Sequence, residues 1–226
     1  MKRRLIATDY DGTLRRLGVI TKKDRKNIEL FRAAGGLFGV VTGRGLNFIE
    51  TAKKEGLGYD YLVLYNGSLV LDAEGNTVAE FFIPREDFAA IEKIFEKHDR
   101  VEDYDTVGEA EFYRHYYARC TDIKKAREIA DEINSALGDK VTAFVNGTAV
   151  NVGVLGSSKA QGVRIALAHF GLNEDDAAVV GDDYNDLDMI VSLKGWAVRT
   201  GRKAVRDAAP HICSGVGALA KELMED

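Results

Sequence analysis

The stretch LIATDYDGTL, residues 5–14, places two carboxylates directly after a short apolar run. Leu5–Thr8 has the composition of a buried strand, and Asp9 and Asp11 follow it with one residue between them. Gly12 then allows the backbone to turn and to approach a ligand closely. Because ligands of open α/β sheets bind beside the carboxyl ends of the strands, this stretch predicts a binding edge. On the D-x-D pattern alone, a solvated turn with a helix cap is an equally good interpretation.

The composition narrows the class of protein. The 226 residues suffice for one large domain or two modest ones, and 46% hydrophobic with 30% charged residues is typical of a globular chain. A net charge of -5 without a strong basic cluster argues against nucleic-acid binding. The first apolar run is too short for a signal peptide, and no segment approaches a membrane span. Cys120 and Cys213 match no metal spacing, so we expect a cytoplasmic protein with reduced thiols.

Short apolar runs alternate with amphipathic segments over most of the chain. This pattern predicts an α/β fold in which helices cover a central parallel sheet. Thr21 is the expected N-cap of the first helix. The expected strands are 5–8, 37–42, 61–65, 177–181 and 196–199, and the expected helices are 22–34, 46–55 and 159–170.

The middle of the chain has a different order of predicted elements: helix, strand, strand, helix, strand, strand. Pro84 stands at its entrance, and a run of small residues at 153–159 marks its exit. We therefore expect an inserted αββαββ domain at 84–155 and a main domain made of 1–83 and 156–226; a continuous single domain is the alternative. Asn146–Gly147 is the expected turn of the last hairpin. The expected inward residues of the two helices are Phe88, Ile91, Ile94, Phe95, Ile123, Ala126, Ala130, Ile133 and Leu137.

A second acidic cluster repeats the opening pattern. In GDDYNDLDM, residues 181–189, an apolar strand is followed by Asp182, Asp183 and Asp186. Neither cluster fits a calcium loop, because apolar or aromatic residues occupy required ligand positions. Two acidic clusters that end buried strands repel each other unless a cation lies between them, and a few carboxylates with room for water and phosphate oxygens favour Mg²⁺. Helix capping remains the interpretation for Asp183.

Two further features fit a phosphate group. Thr42, Gly43 and Arg44 follow the second strand and offer a hydroxyl and free backbone amides, although an ordinary N-cap explains the tripeptide as well. Lys159 begins a helix, where the helix dipole disfavours a cation. We expect it to contact a negative partner outside the helix; a solvated surface lysine is the alternative.

Four motifs in order now resemble a known family. DYDGTL (9–14), VVTGR (40–44), the lysine of SSKAQG (157–162) and GDDYNDLDM (181–189) are similar to the four motifs of the haloacid dehalogenase-like (HAD) phosphohydrolases. The resemblance covers nearly the whole chain and implies a Rossmann-like HAD core. The insertion resembles a type IIB cap, as in Cof-type sugar-phosphate phosphatases, sucrose-phosphate phosphatase and archaeal-type phosphoglycolate phosphatases.

The resemblance implies a role for each motif residue. Asp9 would be the nucleophile and Asp11 the acid/base. Magnesium would be held by Asp9, the main-chain carbonyl of Asp11 and Asp182, with Asp186 completing or orienting that shell. The phosphoryl group would be held by Thr42, Gly43 and Lys159, with Gly12 and Asn185 in support. Tyr10 departs from the family pattern, which usually has an apolar residue between the two aspartates.

The implied function is a magnesium-dependent phosphatase that hydrolyses a small phosphorylated metabolite, phosphoglycolate or a sugar phosphate, through an aspartyl-phosphate. A phosphomutase of the phosphomannomutase type and a non-catalytic metal sensor are the alternatives. We expect a monomer or homodimer whose partner is a small phosphate ester, with neither nucleic acid nor membrane. Candidate substrate contacts are Asn66, Arg114, Arg119 and Asn151. For the last three, solvated sheet residues are at least as good an interpretation.

Overall fold

The computed structural model describes residues 4–98, 101–109 and 112–225, with the backbone alone for 101–109 and 112–114. No helix in these ranges is long and apolar enough to cross a membrane. Its strands in chain order are β1 (Leu5–Thr8), β2 (Leu37–Val41), β3 (Tyr61–Leu64), β4 (Leu69–Asp72), β5 (Thr77–Glu80), β6 (Ile83–Pro84), β7 (Val101–Glu109), β8 (Phe112–Cys120), β9 (Val141–Asn146), β10 (Ala149–Val154), β11 (Ala177–Gly181), β12 (Trp196–Val198) and β13 (His211–Cys213). Its helices are α1 (Lys22–Ala33), α2 (Asn47–Lys54), α3 (Arg85–Glu96), α4 (Ile123–Leu137), α5 (Lys159–His169), α6 (Leu187–Ser192), α7 (Lys203–Ala208) and α8 (Val216–Glu225).

The chain divides into two compact units. The larger comprises Met1–Ala79 and Ser158–Asp226, and the smaller comprises Glu80–Ser157. The smaller unit thus starts earlier and ends later than the 84–155 expected from Pro84 and the small-residue run, because the end of β5 and the loop after β10 contribute to its edges.

The larger unit is built on an eight-stranded sheet. The strand order is β13-β12-β11-β1-β2-β3-β4-β5, so β1 lies in the interior of the sheet between β11 and β2. All pairs from β13 to β3 are parallel, whereas β3 and β4 are antiparallel. The predicted α/β fold with a mostly parallel sheet is confirmed. The five predicted strands agree with the structure within about one residue; β4, β5 and β13 were not predicted.

The apolar run of β1 is explained by burial on both faces of the sheet. Leu5 and Ala7 pack with Val163 and Leu167 of α5, and Ile6 on the other face is also fully buried. A parallel strand covered on both sides favours apolar side chains on both faces, which is why the run Leu5–Ala7 does not alternate. The first charged position after this run falls at the carboxyl edge of the sheet.

The N-cap of α1 is confirmed. The Thr21 hydroxyl accepts a hydrogen bond from the Asp24 backbone N–H at 3.0 Å. This contact satisfies one of the free N–H groups of the first helical turn.

The smaller unit is an antiparallel sheet with α3 and α4 packed on one face. β8 pairs with β6, β7 and β10, and β10 pairs with β9. The inward residues predicted for α3 are buried, but in α4 Ile123 is 47% exposed and Ile129 is fully buried in its place. Ile123 is the first residue of α4 and directly follows the N-cap Asp122.

The turn of the last hairpin is also shifted from the prediction. Asn146 still pairs with Ala149, so the two loop residues are Gly147 and Thr148. Gly147 has a φ of +60°, while Thr148 does not adopt positive φ. Glycine at the first loop position is typical of a II′ turn, whereas the predicted Asn-Gly pair would form a I′ turn.

Candidate active site

Three strand ends and one helix start bring the predicted residues together in the larger unit. Asp9 follows β1 and its backbone N–H donates to Val180 of β11 at 2.9 Å. Asp182 and Asp186 follow β11 on the neighbouring strand end. One carboxylate oxygen from each of Asp9, Asp182 and Asp186 lies within 4.8 Å of the others. The two acidic motifs, 173 residues apart in sequence between Asp9 and Asp182, therefore form one cluster.

Lys159 is the cation of this cluster. The Ser158 hydroxyl caps α5 by accepting from Gln161, which fixes the first turn. The Lys159 Nζ donates to Asp9 Oδ1 at 2.7 Å and to Asp186 Oδ1 at 2.6 Å, and the residue is only 2% exposed. Burial opposes the charge of Lys159, but Asp186 and Asp9 outweigh it, so its pKa is raised and the side chain stays protonated. The expected negative partners outside the helix are thus present, and the surface-lysine alternative is wrong.

Asp9 has one fixed and one open oxygen. Oδ1 is held by Lys159, while Oδ2 is buried and has no hydrogen-bond partner within the described ranges. Burial raises the pKa of Asp9 well above its usual value, and Lys159 opposes this rise. A buried carboxylate oxygen without a donor needs a ligand, and this one belongs to the cluster.

Asp182 is held by the loop that follows Asp9. The Thr13 hydroxyl donates to Asp182 Oδ1 at 2.6 Å. Gly12 has a φ of +93°, and a Cβ placed on it would lie 2.3 Å from Asp182 Oδ2. Only glycine allows this approach, which accounts for Gly12 beside the acidic pair. Burial, and then the charges of Asp186 and Asp183, raise the pKa of Asp182 to about 6.

Asp186 is saturated by protein contacts. Its Oδ1 accepts from Lys159, and its Oδ2 accepts from the backbone N–H groups of Asp182 and Asp183 at 2.8 and 3.1 Å. These contacts orient Lys159 and the loop, so they favour the orienting role that the resemblance offered for Asp186. Asp183 caps the following turn by accepting from Tyr184 N–H at 2.6 Å, as predicted, and Asn185 lies half-buried in that turn.

The cluster fits a hard divalent cation. Three carboxylates around one ammonium leave it negatively charged, and Asp9 Oδ2 is an oxygen without a donor within the described ranges. Burial first, and then the charges of Asp186 and Asp183, raise the pKa of Asp182. Oxygen donors alone are the set that Mg²⁺ prefers.

The turn after β2 forms a separate cradle. The Thr42 hydroxyl accepts from Arg44 N–H at 3.2 Å, and Thr42 is 2% exposed. Thr42 does not cap α2, whose N-cap is Leu46, so the ordinary-cap interpretation of this tripeptide is wrong. Asn66 lies beside Gly43: a Cβ on Gly43 would be 3.1 Å from the Asn66 amide. The buried Asn66 Oδ1 has no hydrogen-bond partner in the described part of the chain.

Arg44 forms a pair that sequence reasoning missed. Its Nε and Nη2 donate to the two carboxylate oxygens of Asp11, each at 2.7 Å. The hydrogen bond to Asp11 raises the pKa of Arg44 further. The guanidinium also lies 5.0 Å from the centroid of the buried Tyr10 ring. The only signal available in the sequence was the arginine that ends VVTGR, which carries no information about its partner.

Two candidate substrate residues of the smaller unit, Asn151 and Arg119, form side-chain hydrogen bonds within that unit. Asn151 is buried, with its Oδ1 3.1 Å from His115 Nε2, and burial lowers the pKa of His115 to about 4. Arg119 is exposed and donates to the Tyr117 hydroxyl at 3.1 Å. Arg114 lies in β8, but its side chain is outside the described part of the structure.

A family model described as haloacid dehalogenase-like hydrolase matches residues 6–119 and 116–216 of the chain. The chain belongs to this family. The HAD resemblance that the four motifs indicated is therefore confirmed, and the cluster described above lies at the positions of those motifs.

Solved structures agree with the HAD fold. A haloacid dehalogenase-like hydrolase from B. subtilis aligns with a TM-score of 0.87 at 16% identity, over 97% of this chain and 99% of that one. A HAD/COF-like hydrolase from Plasmodium vivax aligns with a TM-score of 0.84 at 19% identity, over 99% and 96%. A HAD subclass IIB sugar phosphatase aligns with a TM-score of 0.82 at 17% identity, over 98% and 99%. No curated protein matches the sequence.

Proposed function

We propose that this HAD hydrolase is a magnesium-dependent phosphatase that hydrolyses a small phosphorylated metabolite, phosphoglycolate or a sugar phosphate, through an aspartyl-phosphate on Asp9. The observation that carries the proposal is the state of Asp9. One oxygen is fixed by the buried Lys159, and the other is buried without a donor among the described residues. A carboxylate held in this way is preorganised to attack an electrophile.

In the first half-reaction an Asp9 carboxylate oxygen attacks phosphorus and forms the Asp9 O–P bond. The bond from phosphorus to the ester oxygen breaks, and Asp11 gives that oxygen a proton, so the alcohol leaves neutral. Lys159, already protonated between Asp9 and Asp186, supplies positive charge next to the transferring group. The Thr42 hydroxyl and the Gly43 N–H are suited to hold phosphoryl oxygens.

In the second half-reaction a water attacks the phosphorus of the aspartyl-phosphate. Asp11, now a carboxylate, takes the proton of that water, and the Asp9 O–P bond breaks. Inorganic phosphate leaves, and both aspartates return to their starting states. The exposure of the Asp11 side chain, 52%, suits a group that exchanges protons with water and with a leaving alcohol.

A magnesium ion would be held by Asp9, Asp182 and the main-chain carbonyl of Asp11, with Asp186 orienting the shell through the loop it binds. When bound, such an ion neutralises phosphoryl charge and lowers the repulsion between the substrate and the carboxylates. Thr13 and Gly12 support this arrangement, since one binds Asp182 and the other allows its approach.

The insertion between the second and third motifs supports a subclass IIB assignment. We propose that the smaller unit, Glu80–Ser157, is a type IIB cap that selects the substrate, as its αββαββ order suggests. The likeness to a subclass IIB sugar phosphatase is consistent with a sugar phosphate. The small size of the unit is similar to the cap of the archaeal-type phosphoglycolate phosphatases.

The test is phosphate release from p-nitrophenyl phosphate by the full chain, with and without magnesium. The wild type is expected to turn over only with the metal, and Asp9→Asn is expected to lose turnover while keeping its circular dichroism spectrum. Asp175→Asn, an exposed acid in the larger unit, is the matched control and should retain activity. Full activity of Asp9→Asn would contradict the proposal. A panel of phosphoglycolate, hexose phosphates and pyridoxal phosphate then identifies the substrate, and return of phosphate to a sugar in the presence of a bisphosphate would indicate the mutase instead.

A further inference from the structure

Asp11 and Arg44 form a two-oxygen ion pair, and this pair has a chemical consequence. Arg44 donates one N–H to each oxygen of Asp11, at 2.7 Å in both cases. While the pair is intact, the guanidinium engages both oxygens of Asp11, and neither is free of Arg44 to contact a substrate.

The pair is situated where an anion can compete for it. The side chains of Arg44 and Asp11 are 38% and 52% exposed, so the pair is not sealed in the protein. Arg44 is also the third residue of the Thr42 turn, and its own N–H binds the Thr42 hydroxyl. A guanidinium binds phosphate oxygens in the same forked manner as a carboxylate. Arg44 thus belongs to the turn itself and offers a forked donor to an anion held there.

Tyr10 fixes the position from which Arg44 acts. The Tyr10 ring is fully buried and meets Phe48 of α2 edge-on, with centroids 4.8 Å apart. The Arg44 guanidinium lies over that ring at 5.0 Å, which is a cation–π distance. A rigid ring below the guanidinium keeps its charge near Asp11 and near the turn. This explains the tyrosine between the two aspartates, where an apolar residue is usual.

We propose that Arg44, held by the Tyr10 ring, is a positioning residue that pairs with Asp11 in the substrate-free enzyme and is drawn from it by the phosphate of the substrate, so that the acid/base is released when substrate is bound. This inference rests on the proposed function, in which Asp11 is the acid/base. It makes Arg44 a shared partner of two anions rather than a permanent partner of one.

A binding cycle tests the exchange without turnover. Inorganic phosphate is titrated calorimetrically, with magnesium present, into the full-length wild type, Arg44→Gln, Asp11→Asn and the double variant. If phosphate takes Arg44 from Asp11, Arg44→Gln lowers the affinity for phosphate. Asp11→Asn then raises the affinity about fivefold when Arg44 is present. In the Arg44→Gln background, Asp11→Asn raises it less than about twofold. Equal effects of Asp11→Asn in both backgrounds, which simple charge repulsion gives, would overturn the proposal, as would unchanged affinity in Arg44→Gln.

Two further comparisons isolate the arginine and the ring. Arg164→Gln removes another arginine of the same unit that is paired with a carboxylate, Glu174 at 2.6 Å, and should leave phosphate affinity unchanged. Asp11→Asn changes phosphate affinity by one factor with Arg44 present and by another in the Arg44→Gln background. In Tyr10→Leu these two factors should differ by less than about twofold. Tyr10→Phe, which keeps the ring, should preserve the difference between them. If the difference is also lost in Tyr10→Phe, the Tyr10 ring does not position Arg44.

Failure of this inference is distinguishable from failure of the proposed function. If the wild type does not hydrolyse p-nitrophenyl phosphate, the proposed function fails whatever the binding cycle gives. If it hydrolyses the ester and the cycle shows no preference for the Arg44 background, the phosphatase stands and the partner exchange is wrong.

Discussion

Replacing Asp182 with asparagine should make the metal-free protein more stable while impairing its chemistry. Burial and the neighbouring Asp186 and Asp183 raise the pKa of Asp182 from 3.8 to about 6 in the folded state. The folded protein then binds the Asp182 proton more tightly than the unfolded chain does. Stability from this group is therefore fully present below about pH 4 and is lost as the pH rises through about 6.

The size of the effect follows from that shift. A difference of about two pKa units corresponds to about 3 kcal/mol, and partial hydration of Asp182 reduces the expected value to about 2 kcal/mol. For a chain of this length, that free energy raises the melting temperature by about 4–8 °C. Asparagine is isosteric and its amide oxygen still accepts the Thr13 hydroxyl, so the gain comes from the removed charge.

The assay is thermal unfolding in a chelator at pH 7.5 and at pH 4, with and without excess magnesium. Asp182→Asn should melt above the wild type at pH 7.5 in chelator and close to it at pH 4. Magnesium should stabilise the wild type more than the variant, because a ligand that binds only the folded state adds stability. Asp175→Asn, an exposed carboxylate, is the control and should not shift. A variant less stable than the wild type at pH 7.5 in chelator would refute the reasoning about the buried charge.

Three other substitutions test separate features. Gly12→Ala puts a Cβ 2.3 Å from Asp182 Oδ2 and should lower kcat/KM about 100-fold by displacing that carboxylate. Gly18 also has a positive φ but no neighbour within 4 Å, so Gly18→Ala is the control and should leave kcat/KM unchanged. Lys159→Met leaves two buried carboxylates unpaired and should lower the free energy of unfolding by about 3–5 kcal/mol in guanidinium titrations, against little change for the exposed Lys203→Met. Burial lowers the pKa of His115 to about 4. Its contribution to the free energy of unfolding is therefore present above about pH 6.5 and lost as the pH falls toward 4. His115→Gln should make unfolding less sensitive to acid, and an unchanged pH profile of unfolding would contradict this.

The strands with a continuous run of apolar residues could be predicted from the sequence. The apolar runs that form β1, β2, β3 and β11 are buried on both faces, and such strands have a simple composition. The short hairpin of β4 and β5 was missed because its outer strand is only partly buried and shows no strong alternation. Ile129 of α4 was missed because a helical period that starts at Ile123 begins too early, at an exposed first residue.

Some residues of the candidate site could be predicted from the sequence, and others could not. Asp9, Asp182 and Lys159 were predictable because carboxylates at the ends of buried strands and a lysine at a helix start are unfavourable unless opposite charges face them. The pairing of Asp11 with Arg44 was not, because it joins two side chains 33 residues apart that no periodicity relates. It depends on the separation of two strand ends and on the Tyr10 ring beneath the guanidinium, which only the folded chain supplies.

The proposed mechanism depends on covalent phosphorylation of Asp9. The most direct measurement is to mix the wild type with p-nitrophenyl phosphate and magnesium, quench in acid, reduce with borohydride and locate the modified residue by mass spectrometry. We expect reduction of an acyl phosphate at Asp9 in the wild type and none in Asp9→Asn. Turnover of the ester with Asp9 unmodified under these conditions would contradict it.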